Sequence, residues 1–306
     1  MIKPKTICIE LVTQCNALCA YCPLGRTVLL PYRYLRLSTL SAIVKMIPKS
    51  WSPQIELGGF GESLLHKHLP RIVSQIKSLR PDLRIATSTN GLLLSLELLT
   101  ELDRSGLDEI TISINSVAKD GKIRYRQPTQ YLKPIINLLK KARKSLRILR
   151  ISIQLFAHKN GEEVELAREI RKYVDLVYIK KVSNWNSLVK VPNLLLENNT
   201  YISNYYKCSW YKNSIMLDAA GFYALCCVHL SSPWRKVSIY QIDIETYWKL
   251  LINKEIKFIF PDLTNWCCQC TNGTNQYFLD HFEVVNEYEQ YSNNRFSYDE
   301  KEEAYY

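Results

Sequence analysis

Residues 12–25 read "VTQCNALCAYCPLG" and place three cysteines, Cys15, Cys19 and Cys22, within eight positions. They follow "TICIELV" (6–12), an alternating run with Ile7, Ile9 and Leu11 on one face, which is the period of a strand. A closed structural metal site takes four protein ligands, so three leave one coordination position for something else. Cys15 and Cys19 fit one helical face, but Cys22 joins them only through a turn that Pro23 helps to make. The loop therefore has to wrap around one object. Zinc needs a fourth ligand, and the nearest histidine, His66, lies in another loop. An iron–sulfur cube, normally held by four thiolates, would instead keep one iron open.

Strand-like and helix-like runs alternate outward from this loop. "QIELGG" (54–59), "LRIATSTNG" (83–91), "LDEITISINS" (107–116), "LRILRISIQLF" (146–156) and "VDLVYIKKV" (174–182) complete a set of six strands. Helical patterns lie between them at Thr39–Ile47, Leu69–Leu79, Leu94–Arg104, Lys133–Lys144 and Glu162–Lys172. Such alternation implies a parallel sheet with right-handed crossovers, either an incomplete barrel or an open doubly wound sheet. In both, chemistry sits in loops after the C-terminal ends of strands, where the triple-cysteine loop falls. After Val182 the alternation stops. Residues 184–207 are polar and Asn/Tyr-rich and read as a linker; residues 208–280 form a second, cysteine-bearing module. Residues 281–306 form an acidic, Tyr-rich tail without helical or strand period.

Ten cysteines in a 306-residue chain argue against a secreted disulfide scaffold and for metal binding or catalysis. No run of 18 apolar residues and no signal peptide is visible, so the expectation is a cytoplasmic protein without a membrane partner. The net charge is +11; seven acids and two bases from Glu283 onward leave about +16 on residues 1–282. Lys133 to Arg150 holds seven bases and no acid. That stretch is either a solvated helix face or a surface attracting an acidic peptide, a phosphorylated metabolite or nucleic acid. No nucleic-acid motif supports the last.

Cys15-x3-Cys19-x2-Cys22 after a first strand resembles the radical S-adenosylmethionine (SAM) enzymes. The resemblance covers roughly residues 5–182. It implies a partial (β/α)6 barrel and a [4Fe–4S] cluster whose open iron chelates SAM. Reductive cleavage of SAM then yields a 5′-deoxyadenosyl radical that abstracts hydrogen. "GGFGE" (58–62) resembles the family's glycine-rich motif, implying SAM contacts from Gly58, Gly59, Gly61 and Glu62. "STN" (88–90) and "SIN" (113–115) end strands three and four. They resemble positions that bind the SAM ribose and carboxylate, which implicates Ser88, Asn90, Ser113 and Asn115. Arg126, with Arg124 as competitor, is the expected partner of the SAM carboxylate. His66 and His68 in "LLHKHLP" read as structural, and Glu10, opposite in face to Ile9, is expected to point inside the barrel.

The later cysteines extend the resemblance. Cys208-x12-Gly221-x4-Cys226, followed by Cys267-x2-Cys270, is similar to the SPASM/twitch auxiliary-cluster module behind many radical SAM cores. Gly221 suits a hairpin turn, and "YWKLLIN" (247–253) resembles the module's short helix. No cysteine follows Cys270, which points to the one-cluster twitch version. Cys208, Cys226, Cys267 and Cys270 are thus the implied ligands of a second [4Fe–4S] cluster, with a four-cysteine zinc site as competitor. Cys8, Cys227 and Cys268 remain, either as buried small hydrophobes or as donors of a hydrogen atom to a substrate radical.

The resemblance implies hydrogen abstraction from a peptide or a small natural product, leading to crosslinking, epimerisation or oxidation. The alternatives are a sugar, aminocyclitol or nucleoside substrate, and an RNA-modifying or cofactor-assembly enzyme. An external flavodoxin- or ferredoxin-like donor is expected. The first strand begins near residue 6, leaving no room for an N-terminal leader-binding domain; a separate partner would have to supply one.

Overall fold

The sheet is built on the alternation at the N-terminus. The computed structural model describes residues 2–17, 19, 22–24, 31–114, 132–156, 162–180, 209–226 and 237–256. Among the described residues eight strands form one sheet: β1 (Thr6–Ile9), β2 (Gln54–Leu57), β3 (Ile85–Thr89), β4 (Glu109–Ser113), β5 (Arg150–Phe156), β6 (Leu176–Lys180), β7 (Ser214–Leu217) and β8 (Tyr223–Ala224). Their order is β6-β5-β4-β3-β2-β1-β7-β8. Neighbours are parallel except β7 and β8, which form an antiparallel hairpin. From β1 to β6 each unit steps in the same direction. A doubly wound sheet would reverse its order, so the winding is that of a partial barrel.

Helices α1 (Leu37–Met46), α2 (Leu69–Leu79), α3 (Leu96–Ser105), α4 (Leu132–Ser145) and α5 (Glu162–Arg171) follow the first five strands. One face of the sheet carries Ile7 and Ile9, Ile55 and Leu57, Ile110 and Ile112, and Ile151 and Ile153; these join the helix-covered core. The period of two sends the intervening residues to the inner face. There the register aligns Cys8, Glu56, Ala86, Glu109 and Arg150 in one row. Ser88, Thr111 and Ser152 form a second row, and Ser113, Gln154 and Tyr178 a third. A polar inner face is thus enclosed by an apolar outer one.

The strands are shorter than their sequence runs, and side chains explain the trimming. Val12 leaves the ladder of β1 to form an antiparallel bridge with Tyr34. The buried Asp103 carboxylate accepts the backbone N–H groups of Arg147, Ile148 and Leu149, so β5 starts only at Arg150. Three backbone donors hold that carboxyl below the usual Asp range despite the opposing effect of burial.

The hairpin expected around Gly221 is present. Asp218 Oδ1 accepts from Ala220 and Phe222 N–H, and Gly221 turns with φ +84°, a conformation that glycine adopts without strain. Its strand β7 pairs in parallel with β1, Thr6 against Ser214 through Ile9 against Leu217. The first part of the expected second module therefore extends the core sheet. Helices α6 (Ser209–Asn213) and α7 (Ile244–Ile252) flank it. Asp243 caps α7 by accepting from Thr246 N at 2.8 Å, and Tyr247 stacks on Tyr223 with ring centroids 4.0 Å apart. Trp248 Nε1 donates to the Ile2 carbonyl, tying α7 to the segment that precedes β1. No helix among the described residues is long and apolar enough to cross a membrane.

Candidate active site

Three chain segments converge beyond the C-terminal ends of β1, β2 and β3. The first is the cysteine loop. Thr13 N and Leu35 N donate to Arg33 O and Leu11 O, while Thr13 Oγ1 donates to Pro31 O. These bonds pin the loop where it leaves β1 and where it returns. Cys15 and Cys22 are half-buried and Cys19 is buried. Cys22 N donates to Cys19 O at 3.1 Å, the turn that the spacing required. Among the described residues no three Cys, His, Asp or Glu side chains converge on a single metal ion. Three cysteines on one loop can give an iron–sulfur cube one thiolate for each of three irons.

The second segment is residues 58–62. A Cβ on Gly61 would lie 2.1 Å from Val12 O and 2.6 Å from Gln14 O; one on Gly59 would lie 2.7 Å from Glu10 Cγ. Glycine is required because this segment lies directly on the cysteine loop. Two hydrogen bonds seal the contact, Glu62 N to Gln14 O at 2.7 Å and Phe60 N to Glu10 Oε1 at 3.2 Å. Glu10 is fully buried, its side chain against Gly59 and Phe60.

The third segment is the end of β3. Glu62, 3% exposed, accepts from Thr89 Oγ1 at 2.5 Å and Asn90 N at 2.7 Å, besides Leu64 N at 3.1 Å. Asn90 in turn donates from Nδ2 to Asn16 Oδ1 at 2.7 Å and to Cys15 Sγ at 3.6 Å. Glu62 and Asn90 thus join all three segments around Cys15. Sequence reading singled out both residues as SAM ligands; it overlooked Gln14, Asn16 and Thr89. "STNG" marks a turn, but nothing in it signals that Thr89 faces a carboxylate 27 positions earlier.

Below this junction Cys8 lies buried in an apolar cluster with Leu24, Phe60, Met216 and Ala224, against which Cys15, Cys22 and Trp210 pack. Cys226 is half-buried, two residues beyond β8. Ser113 lies on the inner face opposite Gln154. His66 is structural: its Nε2 bonds Leu35 O, its Nδ1 accepts from His68 N, and burial lowers its pKa. Asn115, Arg124, Arg126, Cys208, Cys227, Cys267, Cys268 and Cys270, with the linker 184–207 and tail 281–306, lie outside the described residues.

Ser88 Oγ donates to Glu56 Oε1 at 3.0 Å. Burial, reinforced by the nearby Glu109 charge, pushes the Glu56 carboxyl up from 4.5 to about 7, against the opposing bond from Ser88. Between those two values the unfolded chain releases this proton and the folded chain keeps it. Folding stability contributed at this site therefore falls as pH rises from about 4.5 to about 7. We expect Glu56→Gln to flatten that slope and to be the more stable protein at pH 8 by about 1–3 kcal/mol. Urea unfolding at pH 5 and pH 8 measures both; parallel pH dependences for the two proteins would disprove the assignment.

Residues 9–170 match the family model of the radical SAM superfamily, and the chain belongs to that superfamily. Its members bind SAM and a [4Fe–4S] cluster, which the thiol loop described above suits. Among curated relatives, a GTP 3′,8-cyclase of Syntrophomonas wolfei is 27% identical over 227 residues, 71% of this chain and 68% of the relative. The matches to the first two curated relatives span 63% and 68% of those proteins' lengths. Among solved structures, BtrN in complex with AdoMet and 2-DOIA gives a TM-score of 0.60 at 16% identity, covering 88% of this chain and 93% of BtrN. Streptococcus suis SuiB bound to precursor peptide SuiA gives 0.59 at 14% identity, covering 80% and 64%. At these identities the structural likeness is one of fold.

Proposed function

We propose that this chain reductively cleaves SAM and uses the radical to take a hydrogen atom from a small polar molecule seated against the inner face of the sheet. One observation carries the proposal. The loop bearing Cys15, Cys19 and Cys22 is fastened by Glu62 and Asn90 at the head of an inner face lined by Glu56, Ser88, Glu109, Thr111 and Ser113. Cys15, Cys19 and Cys22 would hold the cluster, which would supply the one electron that splits the C5′–S bond of SAM into methionine and a 5′-deoxyadenosyl radical. The protein's own part is to orient SAM and the substrate C–H bond and to exclude water.

Carboxylates and hydroxyls on the inner face match a ligand rich in hydroxyl or nitrogen donors, such as an aminocyclitol, sugar or nucleotide. The GTP named for the cyclase relatives is a nucleotide. A peptide is the second reading. It is favoured by the fold shared with peptide-bound SuiB and by the basic surface of α4, where Lys140, Lys141, Arg143 and Lys144 reach solvent. Under that reading a separate partner binds the leader. Cys208, Cys226, Cys267 and Cys270 hold an auxiliary cluster, and an external flavodoxin- or ferredoxin-like protein delivers the electron.

The test is anaerobic reconstitution followed by dithionite reduction with SAM. Wild type should form 5′-deoxyadenosine, and a Cys15/Cys19/Cys22→Ala triple variant should form none. Deuterated aminocyclitols, sugars, nucleotides and peptides are then compared for label transfer into 5′-deoxyadenosine. A colourless protein carrying stoichiometric zinc and cleaving no SAM would end the proposal.

A further inference from the structure

We propose that Asn90 donates a hydrogen bond to the cluster-bound thiolate of Cys15 and so raises the cluster's reduction potential, with Glu62 holding Asn90 in place. The inference rests on the reading of Cys15 as a cluster ligand, and assigns Asn90 a task other than binding SAM.

The orientation of the amide follows from its neighbours. Asn90 Oδ1 accepts from Leu92 N at 2.9 Å, so that end of the amide is the oxygen. Nδ2 must then face the cysteine loop, where Asn16 Oδ1 lies at 2.7 Å and Cys15 Sγ at 3.6 Å. Two N–H groups meet two acceptors. Aspartate would lose both donors, and serine could not serve both acceptors while also accepting from Leu92. On the backbone side, Asn90 N donates to Glu62 Oε2 at 2.7 Å, and Gly91 N donates to Thr89 Oγ1 at 2.9 Å. The side chain is therefore held at its base and at its tip, and the residue is 3% exposed.

Reduction adds one negative charge to a cluster, shared with its sulfur ligands. An N–H dipole aimed at a sulfur stabilises the reduced form more than the oxidised one, and hydrogen bonds to sulfur are a recognised control on such potentials. Burial strengthens the effect. Removing the donor should make the cluster harder to reduce.

The experiment compares wild type, Asn90→Ala and Asn90→Asp after anaerobic reconstitution. Iron content and the midpoint potential of the core cluster are read in a background that lacks the four auxiliary cysteines. With iron content equal, Asn90→Ala should shift the oxidised-to-reduced ratio at fixed ambient potential about tenfold toward oxidised, about 59 mV for a one-electron couple. Asn90→Asp, which turns a donor into an acceptor, should shift it further. Equal iron with unchanged potentials in both variants overturns the proposal, while leaving the cluster and SAM cleavage intact. A wild type that takes up no iron overturns both readings. If neither variant loads iron, wild type decides by resonance Raman. A deuterium shift in its Fe–S(Cys) stretching bands supports the bond, and its absence overturns it.

Discussion

Gly61→Ala should cost this protein its cluster site. The added methyl would sit 2.1 Å from Val12 O, 2.6 Å from Gln14 O and 2.8 Å from Val12 C. All three are backbone atoms, so no side-chain rotation can relieve the clash. Either residues 58–62 lift off the cysteine loop or residues 12–14 shift, and both movements break the bond from Glu62 N to Gln14 O. Overpacking of this kind costs on the order of 1–3 kcal/mol, more where the backbone itself must move. The chemical penalty is larger, because misplacing a reactive group by an ångström costs roughly 100-fold in rate. We expect reconstituted iron to fall below half and 5′-deoxyadenosine formation to drop at least that far. Gly58 supplies the contrast. Its nearest atoms to an added methyl are Ser63 Oγ at 3.6 Å and Glu56 Oε1 at 4.0 Å, so Gly58→Ala should retain its melting temperature. Equal melting temperatures and equal iron for Gly61→Ala and wild type would show that the glycine segment does not press on the loop.

Local pattern explains what was legible beforehand. The period of two in "TICIELV" and the five later runs located all six core strands, because one face of each had to be apolar to meet the helices. The triple cysteine and "GGFGE" were legible because they are contiguous and their spacing has few uses. Other features leave no such trace. Parallel pairing of β1 with β7 joins residues about 208 positions apart, and no spacing signals it. The trimming of β5 depends on Asp103, more than forty positions upstream of the donors it accepts. Two partners of Glu62, Thr89 and Asn90, lie at the end of β3, and neither they nor Asn16 have any sequence period that would mark them. The charge pattern located the basic helix α4 (Leu132–Ser145) but could not say what meets it.

Glu62 is where those silent contacts concentrate, so its replacement should be the most damaging change outside the thiols and Gly61. Glu62→Ala leaves Leu64 N, Thr89 Oγ1 and Asn90 N without their acceptor in a site that water barely reaches. Each orphaned buried donor costs about 1–3 kcal/mol, so a loss of at least about 3 kcal/mol is expected. Glu62→Gln separates charge from shape. Its nitrogen must replace one of the two oxygens, so it faces either Asn90 N–H in place of Oε2, or both Leu64 N–H and the Thr89 hydroxyl in place of Oε1. The first arrangement strands the fewer donors, one, at about 1–3 kcal/mol. The ranking wild type, then Gln, then Ala should appear in urea unfolding of the cluster-free protein, before any cofactor enters the comparison. In the reconstituted protein the Gln variant should bind iron but cleave SAM more slowly, because the anchor of Asn90, and through it the setting of Cys15, has loosened. Full stability in Glu62→Ala would mean that the three segments reach their positions without this carboxylate, and that the site is organised by the glycine contact alone.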